Sequence, residues 1–325
     1  MIQLIRYRGL GGIIIGLIVL VFSKIFFEEV PDFPQVTYTP LFASLKKSIE
    51  TIQFLDIILG LLFVMLQGIL LSFFLNYHKV IKERSFFPFV LYMLLAVVYN
   101  EQFYLNPASF LNFFLILIIE RMLRLQDSGK NPGTLFLDIG TLLGLSILFS
   151  KEALFYIPFV IIGVLIIYSY NLNSVLITAL SVVMVLTITA GIYYLSGHFD
   201  QYSLFYNFTP LNIEISFSHW QERFYLLLIL LILISAVSYF HFQFSGTKIS
   251  NKVRRFSGIF ILFWIVGVLV VLFQKLNLWY NTALLVVPIT VFATGFFQDE
   301  KGNDWFKNLL FLVLILGLLS VQLNY

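Results

Sequence analysis

Eleven apolar runs, parted by short clusters of polar and charged residues, constrain the fold more than any other feature of this chain. They cover 9–27, 51–77, 86–100, 105–123, 133–149, 153–170, 174–196, 224–241, 257–273, 279–297 and 305–323. A helix needs about 20 apolar residues to cross a hydrocarbon core about 30 Å thick, and most of these runs come near that length. Backbone groups in hydrocarbon must find partners within the segment, so the runs are expected to be helices. They lack the alternation that marks an outer-membrane barrel. The short runs, 86–100 and 133–149, are expected inside the bundle or with little tilt. Composition agrees: 60% of the 325 residues are apolar and 11% charged, against about 45–50% and 25% in a soluble domain. Too little charge is available to cover a globule, which excludes a soluble enzyme, a nucleic-acid binder and a disordered chain. The expected fold class is all-α, a polytopic bundle of about eleven spans forming one transmembrane domain over 1–325.

The connections set the orientation. With the N-terminus in the cytoplasm, the cytoplasmic segments hold 14 Lys and Arg residues and the opposite side holds 6, namely Lys24, Lys46, Lys47, Lys151, Arg223 and Lys275. That asymmetry is what the positive-inside rule requires, and one missed span would scramble it. The expectation is a bacterial inner-membrane protein with a cytoplasmic N-terminus and a periplasmic C-terminus. Arg6 and Arg8 precede the first run, and no small-x-small site follows it, so it reads as a retained signal-anchor.

Both long connections, 28–50 and 197–223, fall on the external side, and long loops tend to carry function. The first opens with Glu28, Glu29 and Asp32, and its stretch from Leu41 to Ile49 has the pattern of an amphipathic interfacial helix. Three carboxylates close together can hold a divalent cation through oxygens or supply a general base to a hydroxyl. As a solvated cap they would merely enforce topology. The second loop is rich in aromatics, including Phe199, Tyr202 and Trp220, which suits the headgroup level. Glu101 lies in a short external turn and would join the first cluster if the neighbouring spans pack together. In Ser150-Lys151-Glu152, Lys151 either pairs locally or points at an anionic headgroup.

Other signals are weaker. Asp56 and Asp138 lie about one turn inside their runs, where a helix N-terminal position or snorkelling lowers the cost of a carboxylate. Gln67, Thr187 and Thr189 read as interhelical hydrogen-bond partners, and the four histidines as interfacial residues without ligand spacing. Cysteine is absent, so disulfides and thiolate sites are excluded. No phosphate-binding loop, nucleophile elbow or zinc-protease motif occurs.

The segment Asp138 to Pro158, with Gly140-x-x-x-Gly144-Leu145, Lys151 in the external turn and Pro158 in the next run, resembles the middle of the GT-C membrane glycosyltransferases. Leu105-Asn106-Pro107-Ala108-Ser109 is similar to the turn before their fourth span. Physically, Gly140 and Gly144 allow close helix approach, and Pro158 starts or kinks the following span. The resemblance covers about the first 170 residues and implies a polyprenyl-phosphate-linked sugar donor. It further implies Glu28, Glu29 or Asp32 as base or metal ligand, Glu101 in support, and Lys151 at the lipid phosphate. Arg223 would assist at that phosphate. Many members also carry a soluble C-terminal domain, which is not expected here. The whole chain also looks similar to a family of inner-membrane proteins of Bacteroidota, which implies a location and no activity.

Three functions follow as expectations. One is sugar transfer on the external face, with membrane lipids and a polyprenyl-phosphate-linked sugar as partners. The second is a non-catalytic subunit of a cell-envelope complex, bound to an envelope protein. The third is a lipid or solute transporter, which would need polar groups at the midplane.

Overall fold

The computed structural model describes residues 14, 16, 18, 38–50, 52, 55–80, 85–97, 104–125, 132–167, 172–205, 229, 231–240, 251–273, 283–298 and 304–322. Among them every regular element is helical. The order is α1 (Pro40–Glu50), α2 (Leu55–Tyr77), α3 (Phe87–Val97), α4 (Pro107–Leu125), α5 (Gly133–Phe149), the 3-10 turn η1 (Lys151–Tyr156), α6 (Ile157–Ile167), α7 (Leu172–Leu195) and α8 (Phe199–Phe205). There follow α9 (Leu231–Phe240), α10 (Asn251–Phe273), the 3-10 turn η2 (Ala283–Leu285), α11 (Val286–Gln298) and α12 (Asp304–Gln322). Two of these, α2 and α7, are long and apolar enough to cross a membrane.

Helix starts are written in the sequence. Thr39-Pro40 opens α1: the Phe42 N–H donates to Thr39 Oγ1 (3.2 Å). Asn106-Pro107 opens α4 in the same way, with the Ser109 N–H donating to Asn106 Oδ1 (2.7 Å). A capping side chain followed by proline at the first helical position satisfies one orphan donor and fills a site that needs none. Pro158 sits in the first turn of α6, where η1 gives way to α-helix.

Helix length and burial are linked. The eleven residues of α3 rise only about 16 Å, less than a bilayer core. Phe87 and the residues from Phe89 to Met93 are each at most 1% exposed, enclosed by α2 and α11. The described part of the short run over 86–100 therefore lies inside the bundle, one of the two arrangements expected of it. The long α7 is the converse: Leu172, Leu176, Leu180, Met184, Ile188 and Ile192 all stand more than half exposed along one stripe.

The tightest helix pair is α5 with α7, and small residues explain it. A Cβ on Gly140 would lie 2.3 Å from the Thr178 carbonyl oxygen, and one on Gly144 would lie 2.8 Å from Val185 Cβ. The Gly140/Gly144 spacing thus does what it suggested. Gly16, in the first apolar run, lies against α3: a Cβ there would come within 2.6 Å of the Phe89 ring.

Buried polar groups join the helices. Gln67 on α2 donates from Nε2 to the Ser109 carbonyl (3.0 Å) and accepts from Tyr92 on α3 at Oε1 (2.5 Å). Asn112 on α4 donates to the Ala283 carbonyl at η2 (2.9 Å). Gln67 is interhelical as expected. Thr187 and Thr189 are not: their hydroxyls donate to the Met184 and Val185 carbonyls of their own helix, the local alternative open to any helical threonine.

Candidate functional site

The end of the bundle where α2 and α4 begin and α5 and α7 finish carries an organised polar layer. It is built on α1, an amphipathic helix that packs against α2, α5 and α8. Leu41 to Ile49 is thus helical, as its pattern predicted. Phe42 is fully buried while Ser44, Lys47 and Ser48 are exposed. Two polar contacts fasten α1. At its start, Thr39 Oγ1 donates to the Phe149 carbonyl (3.3 Å), closing one of the carbonyls left open at the end of α5. Nearer its end, Lys46 forms an ion pair with Asp56 and approaches the Leu105 carbonyl (3.4 Å).

Asp56 is the hub. It sits in the first turn of α2, where the helix dipole favours a carboxylate. Besides Lys46 it accepts the Leu105 N–H at Oδ1 (3.1 Å). One side chain therefore ties α1, α2 and the entry to α4. The Lys46 and Asp56 side chains are 11% and 18% exposed, so the pair is mostly withdrawn from solvent. Its reason for lying near the run's edge is structural, with a partner that hydropathy did not identify.

Lys151 stands at this end, two residues beyond Phe149, in the first turn of η1. It is half-buried, and among the described residues it forms no ion pair. Its neighbour Glu152 is buried and accepts from the Ser150 hydroxyl. The local Lys151–Glu152 pair, one of the two sequence expectations, does not form: the Glu152 carboxylate meets the Ser150 hydroxyl instead. The expected acids Glu28, Glu29, Asp32 and Glu101 lie outside the described residues, as does Arg223. No group of three His, Asp or Glu side chains able to hold a metal occurs among the described residues.

The beginning of the aromatic loop 197–223 is α8, folded back on α7. The Tyr202 hydroxyl donates to the Leu186 carbonyl (3.1 Å), and the Tyr193 and Tyr202 rings lie 5.4 Å apart. His198 is exposed at this corner. His78 departs from expectation: it is buried, edge-on to Phe74, Tyr77 and Phe256. His219 and His241 lie outside the described residues.

The opposite end holds a second charge cluster, between the end of α4 and the start of α5. Arg121 Nε pairs with Asp138 Oδ2 (3.2 Å), Arg121 also meets Glu120 (3.2 Å), and Arg124 pairs with Glu120. Asp138 thereby has a cationic partner, which lowers its cost at the edge of an apolar run. Glu120 carried no sequence signal of its own, because its role depends on Arg121 and Arg124 as neighbours.

Residues 36–324 match DUF6427, a family of unknown function, and the chain belongs to that family. No curated protein and no solved structure matches it significantly.

Proposed function

We propose that this member of the DUF6427 family is a multi-pass inner-membrane protein of eleven spans with its N-terminus in the cytoplasm. On this reading the α1 end faces the periplasm and works on a polyprenyl-phosphate-linked sugar. Support for the membrane comes from the exposed stripe of α7. Six or more aliphatic side chains more than half exposed would forgo on the order of 10 kcal/mol in water, at about 1.5–3 kcal/mol per fully buried chain. That is comparable with the entire stability of a domain. In lipid the penalty vanishes.

The observation that carries the functional reading is the Thr39–Phe149 contact. It fixes the downstream end of the acid-bearing loop to the corner that presents Lys151. Six residues lie between Asp32 and Thr39, and the seven steps make a tether of at most about 25 Å. In the proposed reaction a carboxylate of Glu28, Glu29 or Asp32 takes the proton of an acceptor hydroxyl, with Glu101 in support. The acceptor oxygen bonds to the anomeric carbon as its bond to the lipid phosphate breaks, and the phosphate leaves with the electron pair. Lys151 and Arg223 stabilise that charge electrostatically. Alanine at each acid, singly and together, with expression verified, tests the mechanism through sugar transfer in membranes. Loss of transfer in at least the triple variant is expected. Undiminished transfer in all four rejects it.

A specific observation favours a second reading, a non-catalytic envelope subunit. Four carboxylates among the described residues, Asp56, Glu120, Asp138 and Glu152, are engaged in structural contacts. Co-purification of a partner at fixed stoichiometry, unaffected by the acid substitutions, would distinguish this reading.

A further inference from the structure

The long helix α7 ends in a defined turn. The His198 N–H donates to the Tyr193 carbonyl (3.0 Å) and the Gly197 N–H to the Tyr194 carbonyl (3.1 Å), and Gly197 has φ +74°. This is a Schellman termination with glycine at its left-handed position. It sends the chain back, so that α8 starts beside the helix it follows. The Phe199 ring meets the Tyr194 ring edge-on at 6.0 Å and lies 6.3 Å from the Tyr202 ring. The Tyr202 hydroxyl reaches down to Leu186, nine residues before the end of α7.

The length of α7 sets a scale for this corner. Its 24 residues rise about 36 Å, against about 30 Å for a hydrocarbon core. A centred α7 carries its last residues about 3 Å past the boundary. Tyr194 then stands about 16 Å from the middle, at the boundary, and Leu186 about 4 Å from the middle. The Tyr202 hydroxyl is thus below the headgroups, where the Leu186 carbonyl supplies the acceptor that water cannot. The surface around it is divided as an interface requires. Tyr194 and Leu195 are 71% and 86% exposed and continue the apolar stripe of α7, whereas Asp200, Gln201 and Ser203 give α8 a polar, exposed side. Between Lys151 and Arg223 the sequence holds neither Lys nor Arg. No cation flanking α7 can therefore snorkel to hold its depth, and the aromatic rings are the anchors that remain.

We infer that the α7–α8 corner is a membrane-surface anchor. In it α8 lies along the headgroup boundary of one leaflet, with Tyr194 and Phe199 at that boundary and the Tyr202 ring among the acyl chains, and it fixes the depth of α7. Its partner is the lipid surface itself. The inference rests on the membrane-spanning reading and not on sugar transfer.

The test uses the full cysteine-free chain with one nitroxide-labelled cysteine, reconstituted in vesicles of phosphatidylethanolamine and phosphatidylglycerol. Collision with oxygen, which dissolves in lipid, and with a nickel chelate, which stays in water, gives the depth of the label. A label in place of Ile188 should read about 7 Å from the midplane. One in place of Gln201 should read within about 5 Å of the boundary, one helix radius. Phe199→Ser combined with Tyr202→Ser should move the label at 201 into water and raise its nickel collision rate severalfold, with the label at 188 still in hydrocarbon. Phe199→Ser alone, at an exposed ring, keeps the Leu186 bond and should move the label part of the way, so the anchor is tested even if the double variant fails to fold. A label at 201 that reads open water in the parent chain, or as deep as 188, or that is unmoved by the substitutions, would overturn the inference. A label at 188 that collides freely with nickel defeats the membrane reading and the anchor together, whereas 188 in hydrocarbon with 201 in open water defeats the anchor alone.

Discussion

Replacing Asp56 by Asn probes the fastening of α1 with little change in shape. Asn keeps an acceptor for the Leu105 N–H and removes the charge opposite Lys46. Exposed ion pairs contribute about 0–1 kcal/mol, and stranding one partner of a fully buried pair costs about 3–5 kcal/mol. With side chains 11% and 18% exposed, the Asp56 pair lies nearer the buried limit, and a loss of about 2–3 kcal/mol is expected. Asp56→Ala should lose about 1 kcal/mol more, because the Leu105 N–H then lacks its acceptor. Lys46→Met alone should cost about 2 kcal/mol. The double variant Lys46→Met/Asp56→Asn should recover part of this, with a coupling energy of about 1–2 kcal/mol. Thermal unfolding in detergent measures the set. Limited trypsin digestion at the exposed Lys47 in α1 reports whether the helix lifts, and should run faster in Asp56→Asn. Additive single effects, with coupling below about 0.5 kcal/mol and unchanged digestion, would refute the hub role of Asp56.

Two further predictions concern packing. Gly140→Ala should cost about 3 kcal/mol or more, since its Cβ would lie 2.3 Å from a backbone oxygen of α7. Gly191→Ala, where nothing lies within 4 Å, should be neutral or stabilising by up to about 1 kcal/mol; the same thermal assay compares them. Gln67→Leu should cost about 2–3 kcal/mol by leaving the Tyr92 hydroxyl and the Ser109 carbonyl without it. Combining it with Tyr92→Phe should cost less than the sum, because the orphaned hydroxyl is then gone.

Where hydropathy and helix chemistry coincide, the fold was legible. The run 133–149 is α5 with the same boundaries, and the amphipathic stretch before residue 50 is α1. Where they part, boundaries moved. The apolar run 257–273 is only part of α10, which starts at Asn251. Asn251-Lys252-Val253-Arg254-Arg255 is polar, and hydropathy reads the solvent preferred by side chains, whereas the helix depends on the backbone. In the same way 153–170 concealed a change from 3-10 to α-helix near Pro158. Glycine spacing announced the α5–α7 contact because backbone proximity depends on a local pattern. The Lys46–Asp56 and Arg121–Asp138 pairs were illegible for the opposite reason: each depends on which helix ends meet, a property of topology. Of the candidate site, the turn that carries Lys151 is legible in the sequence, while the partner of Asp56 is not.

The sidedness of the α1 end underlies the functional reading, and the cysteine-free chain allows a direct measurement. Single cysteines replace Ser44, exposed on α1, and Gly133, at the start of α5 with open space around its Cβ. A membrane-impermeant maleimide added to spheroplasts should label position 44, and should label position 133 only after permeabilisation. Labelling of 133 in intact spheroplasts with 44 protected would place Lys151 and the acid-bearing loop in the cytoplasm and contradict the account.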